Sequence, residues 1–74
     1  MTKDAVITKR VAEELFRLPG TNREIARKIG CHPDTIVAWE TGRITPNAHS
    51  LAAMHRVGCD VMYILTGERT KYET

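Results

Sequence analysis

The sequence predicts an all-α, compact domain of five helices, and two observations support this fold class. Glycine and proline divide the 74 residues into short segments, with breaks at Pro19, Gly20, Gly30, Gly42, Pro46, Gly58 and Gly67. No segment shows the sustained apolar/polar alternation of a half-buried strand, and each is compatible with a helix. The length suits one domain, which we expect over residues 1–68, followed by a flexible C-terminal tail over residues 69–74.

The first two helices are indicated by an apolar stripe and by a cap. Ile7, Val11, Leu15 and Leu18 recur at helical spacing and predict a helix from Asp4 to Leu18. Its charged residues are expected on the solvent side, and they are Lys9, Arg10, Glu13, Glu14 and Arg17. The second helix follows the N-cap Thr21, which forms a capping box with Glu24, and it ends at Gly30.

The third helix is predicted to begin at Pro33, a residue favoured at the first helical position, and to end at Gly42. Ile36 and Trp39 are expected to point into the core. Only Gly30, Cys31 and His32 separate this helix from the second one. Two short helices joined by a three-residue turn that contains glycine are typical of a helix-turn-helix.

The fourth helix is predicted from Asn47 to Val57, with inner positions at Ala48, Leu51, Ala52, Met54 and His55. The fifth follows the N-cap Asp60 and is apolar nearly all round. Such a helix meets either the core and a partner, or only a crowded core. We expect a homodimer through this helix, with contacts from Val61, Met62, Ile64 and Leu65.

Composition excludes several classes of protein. Apolar residues make up 42% and charged residues 27%, which is ordinary for a soluble domain and too apolar for a disordered one. No run approaches the roughly 18 apolar residues of a membrane span, and the N-terminus lacks the apolar stretch of a signal peptide. A net charge of +2 does not by itself indicate nucleic acid. Met1 and the lack of a linker favour a complete small protein.

The cysteines and histidines do not form a recognisable site. Cys31 and Cys59 are too few for a disulfide scaffold, and each follows a glycine, which favours two buried thiols in a reducing compartment. His32, His49 and His55 add no regular ligand spacing, so no metal is predicted. No Ser/His/Asp or Cys/His arrangement and no Gly-rich phosphate loop is present, so neither catalysis nor a cofactor is predicted.

Burial of Ile36 and Trp39 should leave a fixed set of short side chains exposed on the third helix. This set comprises His32, Pro33, Asp34, Thr35, Val37, Ala38 and Thr41. The major groove of DNA admits a helix of this kind. Phosphate contacts are expected from Thr21, Asn22 and Arg23 at the start of the second helix, and from Arg43 and Thr45 after the third.

Residues 21–69 resemble the lambdoid phage repressor/Cro type of helix-turn-helix domain, also called the XRE family. The first matching stretch is Glu24-Ile25-Ala26-Arg27-Lys28-Ile29-Gly30-Cys31, followed by Thr35-Ile36 and by Trp39-Glu40-Thr41-Gly42-Arg43 with Pro46. The segment from Gly58 to Arg69 is similar to a G-x-D-x-x-Y-I-L-T-G-x-R ending common among phage and prophage regulators. The two signals stand at the spacing that this family has.

The resemblance implies a lambda-repressor-like domain that binds operator DNA, usually as a dimer on a pseudo-palindrome. It places Pro33, Asp34 and Ala38 at base-reading positions, with His32 and Thr35 beside them, and Asn22 at the phosphate-clamping position. Pro33 and Ala38 can offer only apolar contact, for instance to a thymine methyl group. Asp34 either accepts from cytosine N4 or complements the helix dipole, and His32 either contacts phosphate or serves as the N-cap.

Two neighbouring residues have structural interpretations. Trp39 is expected in the core, and Glu40 in an ion pair or a cap. Family members often carry an arginine in the first helix that pairs with the position of Glu40, and Arg10, Arg17 or neither takes this role here.

The function predicted from the sequence is a sequence-specific DNA-binding transcriptional regulator, a phage or prophage repressor or Cro-like protein. Its expected place is the cytoplasm of a bacterial cell or phage-infected host, in association with the nucleoid. The alternatives are an antitoxin-type autorepressor, and a protein-interaction module that docks a partner on the apolar fifth helix.

Overall fold

A computed structural model describes the backbone of residues 3–69 and the side chains of residues 5–69, and the predicted tail after Arg69 lies outside the described residues. This part of the chain is all-helical, without strands, as predicted. Its helices are α1 (Lys3–Arg17), α2 (Asn22–Ile29), α3 (Pro33–Thr41), α4 (Ala48–Arg56) and α5 (Val61–Thr66). No helix within residues 3–69 is long and apolar enough to cross a membrane.

The predicted caps define the ends of the short helices. The Thr21 hydroxyl accepts from the Glu24 backbone N–H at 3.2 Å, and the Glu24 carboxylate accepts from the Thr21 backbone N–H at 2.9 Å. Gly30 ends α2 with a φ of 94°, a left-handed conformation that side chains with a Cβ rarely adopt. The capping box and the left-handed glycine are therefore both confirmed.

The core lies where α1 packs against α3 and α5, while α2 packs against α3 and α4. Leu15, Ile36, Met54 and Ile64 are at most 1% exposed, and Trp39 is buried as predicted. Full burial of one aliphatic side chain of this size stabilises a fold by about 1.5–3 kcal/mol relative to exposure. These side chains come from four different helices, so the core holds the helices to one another.

The prediction for the inner face of α4 is wrong at three positions. Met54 is buried, but Ala53 rather than Ala52 accompanies it, and Ala48 and His55 are exposed. Residues 48, 52 and 55 are separated by four and three residues, so they share one side of the helix. That side borders α5 without packing into the core.

Glu14 is fully buried, so its predicted place on the solvent side of α1 is wrong. Its carboxylate accepts from the Asp60 backbone N–H at 2.7 Å and from the guanidiniums of Arg17 at 2.8 Å and Arg69 at 2.6 Å. Burial raises the pKa of Glu14, but these three hydrogen bonds lower it more, so the pKa lies below its ordinary value. Glu14 is three residues after the buried Val11, and that spacing was the signal for an inward position.

Arg69 belongs to the packed domain, which corrects its assignment to a flexible tail. Besides its bond to Glu14, its guanidinium lies 3.8 Å from the centroid of the Tyr63 ring. The domain boundary at residue 68 is therefore too early by at least one residue.

Only one of the two cysteines is fully buried. Cys59 is 3% exposed, and burial raises the pKa of its thiol to about 11. Cys31 is partly buried against the core, and burial raises the pKa of its thiol as well. Both thiols are free and act as small apolar groups, since a raised pKa disfavours the reactive thiolate.

Candidate nucleic-acid interface

The helices α2 and α3 pack against each other, and a three-residue turn joins them. The backbone N–H groups of Gly30 and Cys31 both donate to the Ala26 carbonyl, at 2.7 and 2.9 Å. Ala26 is 1% exposed, and a side chain this small lets the two helices approach closely. The turn and the buried contact together fix the orientation of α3 relative to α2.

We call the residues that are predicted to contact DNA the α2–α3 face. Most of them are exposed: Thr21, Arg23, His32, Asp34, Val37, Thr41, Arg43 and Thr45. Asn22, Pro33 and Thr35 are half-buried. The structure therefore leaves one side of α3 at the surface, together with the start of α2 and the loop after α3.

Ala38 is 7% exposed, so the prediction that it is an exposed base-reading residue is wrong. Its carbonyl accepts from the Arg43 backbone N–H at 3.0 Å, because the chain turns back at this end of α3. Ala38 is therefore a packing residue, and Val37, with 41% exposure, is the apolar residue that α3 presents.

His32 caps α3, which is one of its two predicted roles. Its Nδ1 accepts from the Asp34 backbone N–H at 3.0 Å, and this bond requires an unprotonated Nδ1. The neutral ring then carries its proton on Nε2. The His32 side chain is 71% exposed and that of Asp34 is 87% exposed. The start of α3 thus offers an N–H donor and a carboxylate acceptor side by side.

Glu40 lies behind this face, and its environment differs from the prediction. Its Oε2 is buried without a hydrogen-bond partner among the described residues, and the Asn22 side chain hydrogen-bonds to its carboxylate. Burial raises the pKa of Glu40, and the hydrogen bond from Asn22 lowers it by a smaller amount. The pKa of Glu40 therefore lies above its ordinary value. The sequence left open whether Arg10, Arg17 or neither pairs with Glu40. Within the described residues neither arginine does so, because Arg10 donates to the Ile64 carbonyl and Arg17 donates to Glu14.

The basic residues near this face point to solvent. Arg23, Arg27, Lys28 and Arg43 are all exposed. Glu24 is held in the capping box, where hydrogen bonds from Thr21 lower its pKa. Its charge therefore stays at the start of α2, and the exposed cations lie on α2 and in the loop that follows α3.

The predicted dimerisation residues on α5 do not share one environment. Met62 and Leu65 are 54% and 51% exposed, and Val61 is half-buried. Ile64 is 0% exposed, so its assignment to a dimer surface is wrong. Its side chain points into the core because it lies on the opposite side of a one-and-a-half-turn helix from Met62 and Leu65.

No protein-family model matches the sequence, and neither the curated proteins nor the solved structures contain a match to it.

Proposed function

We propose that this chain is a sequence-specific DNA-binding transcriptional regulator of the repressor or Cro-like kind, which places α3 in the major groove. The observation that supports the proposal best is the α2–α3 face itself. A helix anchored by Ile36 and Trp39 presents short exposed side chains, and exposed arginines lie at position 23, at the start of α2, and at position 43, just after α3. A helix of this width fits the major groove, and nearby cations suit the phosphates of the groove walls.

The contacts divide into two kinds. Arg23 and Arg43 neutralise phosphates and set the register of the protein on the duplex without reading sequence. His32, Asp34 and Val37 reach the base edges: Nε2–H donates to a purine acceptor, the carboxylate accepts from cytosine N4, and the valine contacts a thymine methyl group. Asn22, which the Glu40 carboxylate holds by a hydrogen bond, contacts a phosphate beside Arg23.

A second copy of the chain completes the proposal. One copy with a net charge of +2 neutralises few phosphates, so two copies on a two-fold site bind more tightly than one. Met62 and Leu65, which are exposed on α5, provide the contact between the copies.

The test begins with selection of bound duplexes from a random DNA pool, which yields the site and its symmetry. Arg23→Glu and Arg43→Glu together should then weaken binding at least a hundredfold and flatten the dependence on salt, because about two phosphate contacts are lost. Arg56→Glu is the matched control, since Arg56 is also an exposed arginine but lies on α4, outside the α2–α3 face. Equal binding by the double variant and the parent at low and moderate salt would contradict the proposal.

A further inference from the structure

A groove with a volume of about 1160 Å³ lies between α4 and α5. Its floor is apolar and consists mainly of Leu51, Ala52, Val61, Met62 and Leu65. Residues 21–45, which carry the α2–α3 face, do not line it. This α4–α5 groove is therefore a separate surface that a ligand can occupy while α3 faces DNA.

The rim of the α4–α5 groove is basic. Arg17, Arg56 and Arg69 border it, against the carboxylate of Asp60. Glu14 lies beneath and bonds both Arg17 and Arg69, and their side chains are nevertheless 59% and 42% exposed. Each guanidinium has five N–H donors, of which a shared carboxylate can engage only some. Two arginines are thus held close together, and Arg69 also lies 3.8 Å from the Asp60 carboxylate, yet part of each guanidinium remains exposed to an anion.

We propose that the α4–α5 groove binds an acidic amphipathic helix of another protein. Helices dock in apolar grooves by a stripe of side chains spaced three and four residues apart. The three arginines on the rim select carboxylates beside that stripe, because opposite charges across an interface favour the matching partner.

Two other occupants fit the groove less well. A second copy held through Met62 and Leu65 covers part of the apolar floor, but it would bring its own three arginines towards the same rim and so leave the positive charge of the rim uncompensated. A DNA backbone would satisfy the arginines but would cover the apolar floor with charged phosphates. An acidic protein helix satisfies both the rim and the floor.

The acidic helix and a second copy compete for α5. Met62 and Leu65 belong to the floor of the groove, and they also form the contact proposed between two copies. This consequence rests on the proposed function, whereas binding of the helix does not. A partner of this chemistry would separate the two copies and so weaken binding to a two-fold DNA site.

The probe is a labelled helical peptide with leucines along one face and glutamates on both sides, titrated by fluorescence anisotropy without DNA. Two control peptides carry lysine in place of glutamate, or serine in place of leucine. The acidic peptide should bind at least tenfold more tightly than either control, because each lacks one half of the match. Since no DNA is present, the outcome is independent of the DNA-binding test.

Protein variants locate the site. Arg56→Glu should weaken binding of the acidic peptide about tenfold, and Leu65→Ser by a similar factor. Arg27→Glu is the matched control, because Arg27 is also an exposed arginine in the last turn of a helix but lies outside the groove. Circular dichroism establishes that each variant is folded.

Four outcomes would overturn the proposal. The first is equal binding of the glutamate and lysine peptides, and the second is equal weakening by Arg27→Glu and Arg56→Glu. The third is that the acidic peptide does not bind and does not separate self-associated protein. This result would assign the groove to a second copy. Displacement of bound peptide by a short duplex of random sequence would assign it to DNA instead.

Discussion

The buried carboxylate of Glu14 joins three parts of the chain. It accepts from Arg17 in its own helix, from the Asp60 backbone at the start of α5, and from Arg69 after α5. A buried charge is tolerated only when hydrogen bonds replace its lost hydration, and here three donors do so. The same bonds place two arginines at the rim of the α4–α5 groove, so this residue serves both the fold and the surface.

Replacement of Glu14 by glutamine should lower the free energy of unfolding by about 2 kcal/mol at neutral pH, since charged hydrogen bonds to both arginines are lost. Urea denaturation measures this change. Glu68→Gln is the control, because Glu68 is exposed, and it should change stability by less than about 0.5 kcal/mol.

The same substitution has a defined pH dependence. The folded-state pKa of Glu14 is lowered, so its stabilisation is complete above the ordinary value of 4.5 and disappears as the pH falls through the lowered value. The difference between wild type and Glu14→Gln should therefore be constant near neutrality and shrink in acid. A difference that grows in acid would contradict the assigned hydrogen bonds.

Glu40 should show the opposite sign. Its folded-state pKa is raised, so the charged form destabilises the fold at a pH above that value, and the cost vanishes as the pH falls below the ordinary value of 4.5. Glu40→Gln should raise the free energy of unfolding by about 1 kcal/mol at neutral pH, because a neutral amide costs less to bury than an unpartnered carboxylate oxygen. Chemical denaturation at neutral and acid pH provides the measurement. A variant less stable than wild type at neutral pH would show that Oε2 has a cationic partner.

The helices α2 and α3 are too short to be stable alone, since isolated helices below about 12–15 residues are marginal in water. α2 has 8 residues and α3 has 9, so caps and tertiary packing together determine whether they form. Thr21 closes the start of α2, and Gly30 closes its end. Because Asn22 and Arg23 follow the cap directly, a frayed α2 would also displace the proposed phosphate contacts.

Thr21→Ala tests the contribution of the cap. Loss of the hydroxyl leaves the Glu24 backbone N–H without its acceptor and should destabilise the protein by about 1 kcal/mol. Thermal unfolding followed by circular dichroism measures the change. Thr45→Ala is the matched variant, because Thr45 is also exposed but lies in a loop, and it should unfold at nearly the wild-type temperature. Equal effects would show that the capping box does not stabilise α2.

The whole domain presents two surfaces that do not share residues, the α2–α3 face and the α4–α5 groove. Glu14 and the core residues connect the helices that lie beneath both surfaces. The α2–α3 face and the α4–α5 groove nevertheless offer different helices to a ligand. Dimerisation through α5 would cover Met62 and Leu65 in the floor of the α4–α5 groove, but it would leave the α2–α3 face free, so that two α3 helices can contact one duplex.

Self-association is tested by the combined change Met62→Ser and Leu65→Ser. Both side chains are about half exposed, so the variant should fold normally but sediment as a monomer at micromolar concentration. It should lose affinity for a two-fold DNA site and retain affinity for a single half-site. Phe16→Ser removes another exposed apolar side chain, 72% exposed on α1, and should leave self-association unchanged. A wild-type protein that is already monomeric at this concentration would contradict the proposed dimer.

The sequence by itself determined the number of helices, their ends within a residue, and the caps at Thr21 and Asp60. These features depend on hydrogen bonds and backbone conformations within a few residues of the chain, so local residue types are sufficient to predict them. The outward positions of Arg23 and Val37 followed from the same helical periodicity.

Only the tertiary structure decided which residues lie between helices. The burial of Glu14 requires a donor from Asp60, which is 46 residues away, and Ile64 is buried because α5 packs against α1. The burial of Ala38 likewise depends on how the chain folds back after α3. The exposure of the outer side of α4 depends on how far the neighbouring helices cover it. Periodicity shows that a helix has an apolar side, but the placement of distant helices determines how far that side extends and which polar groups it includes.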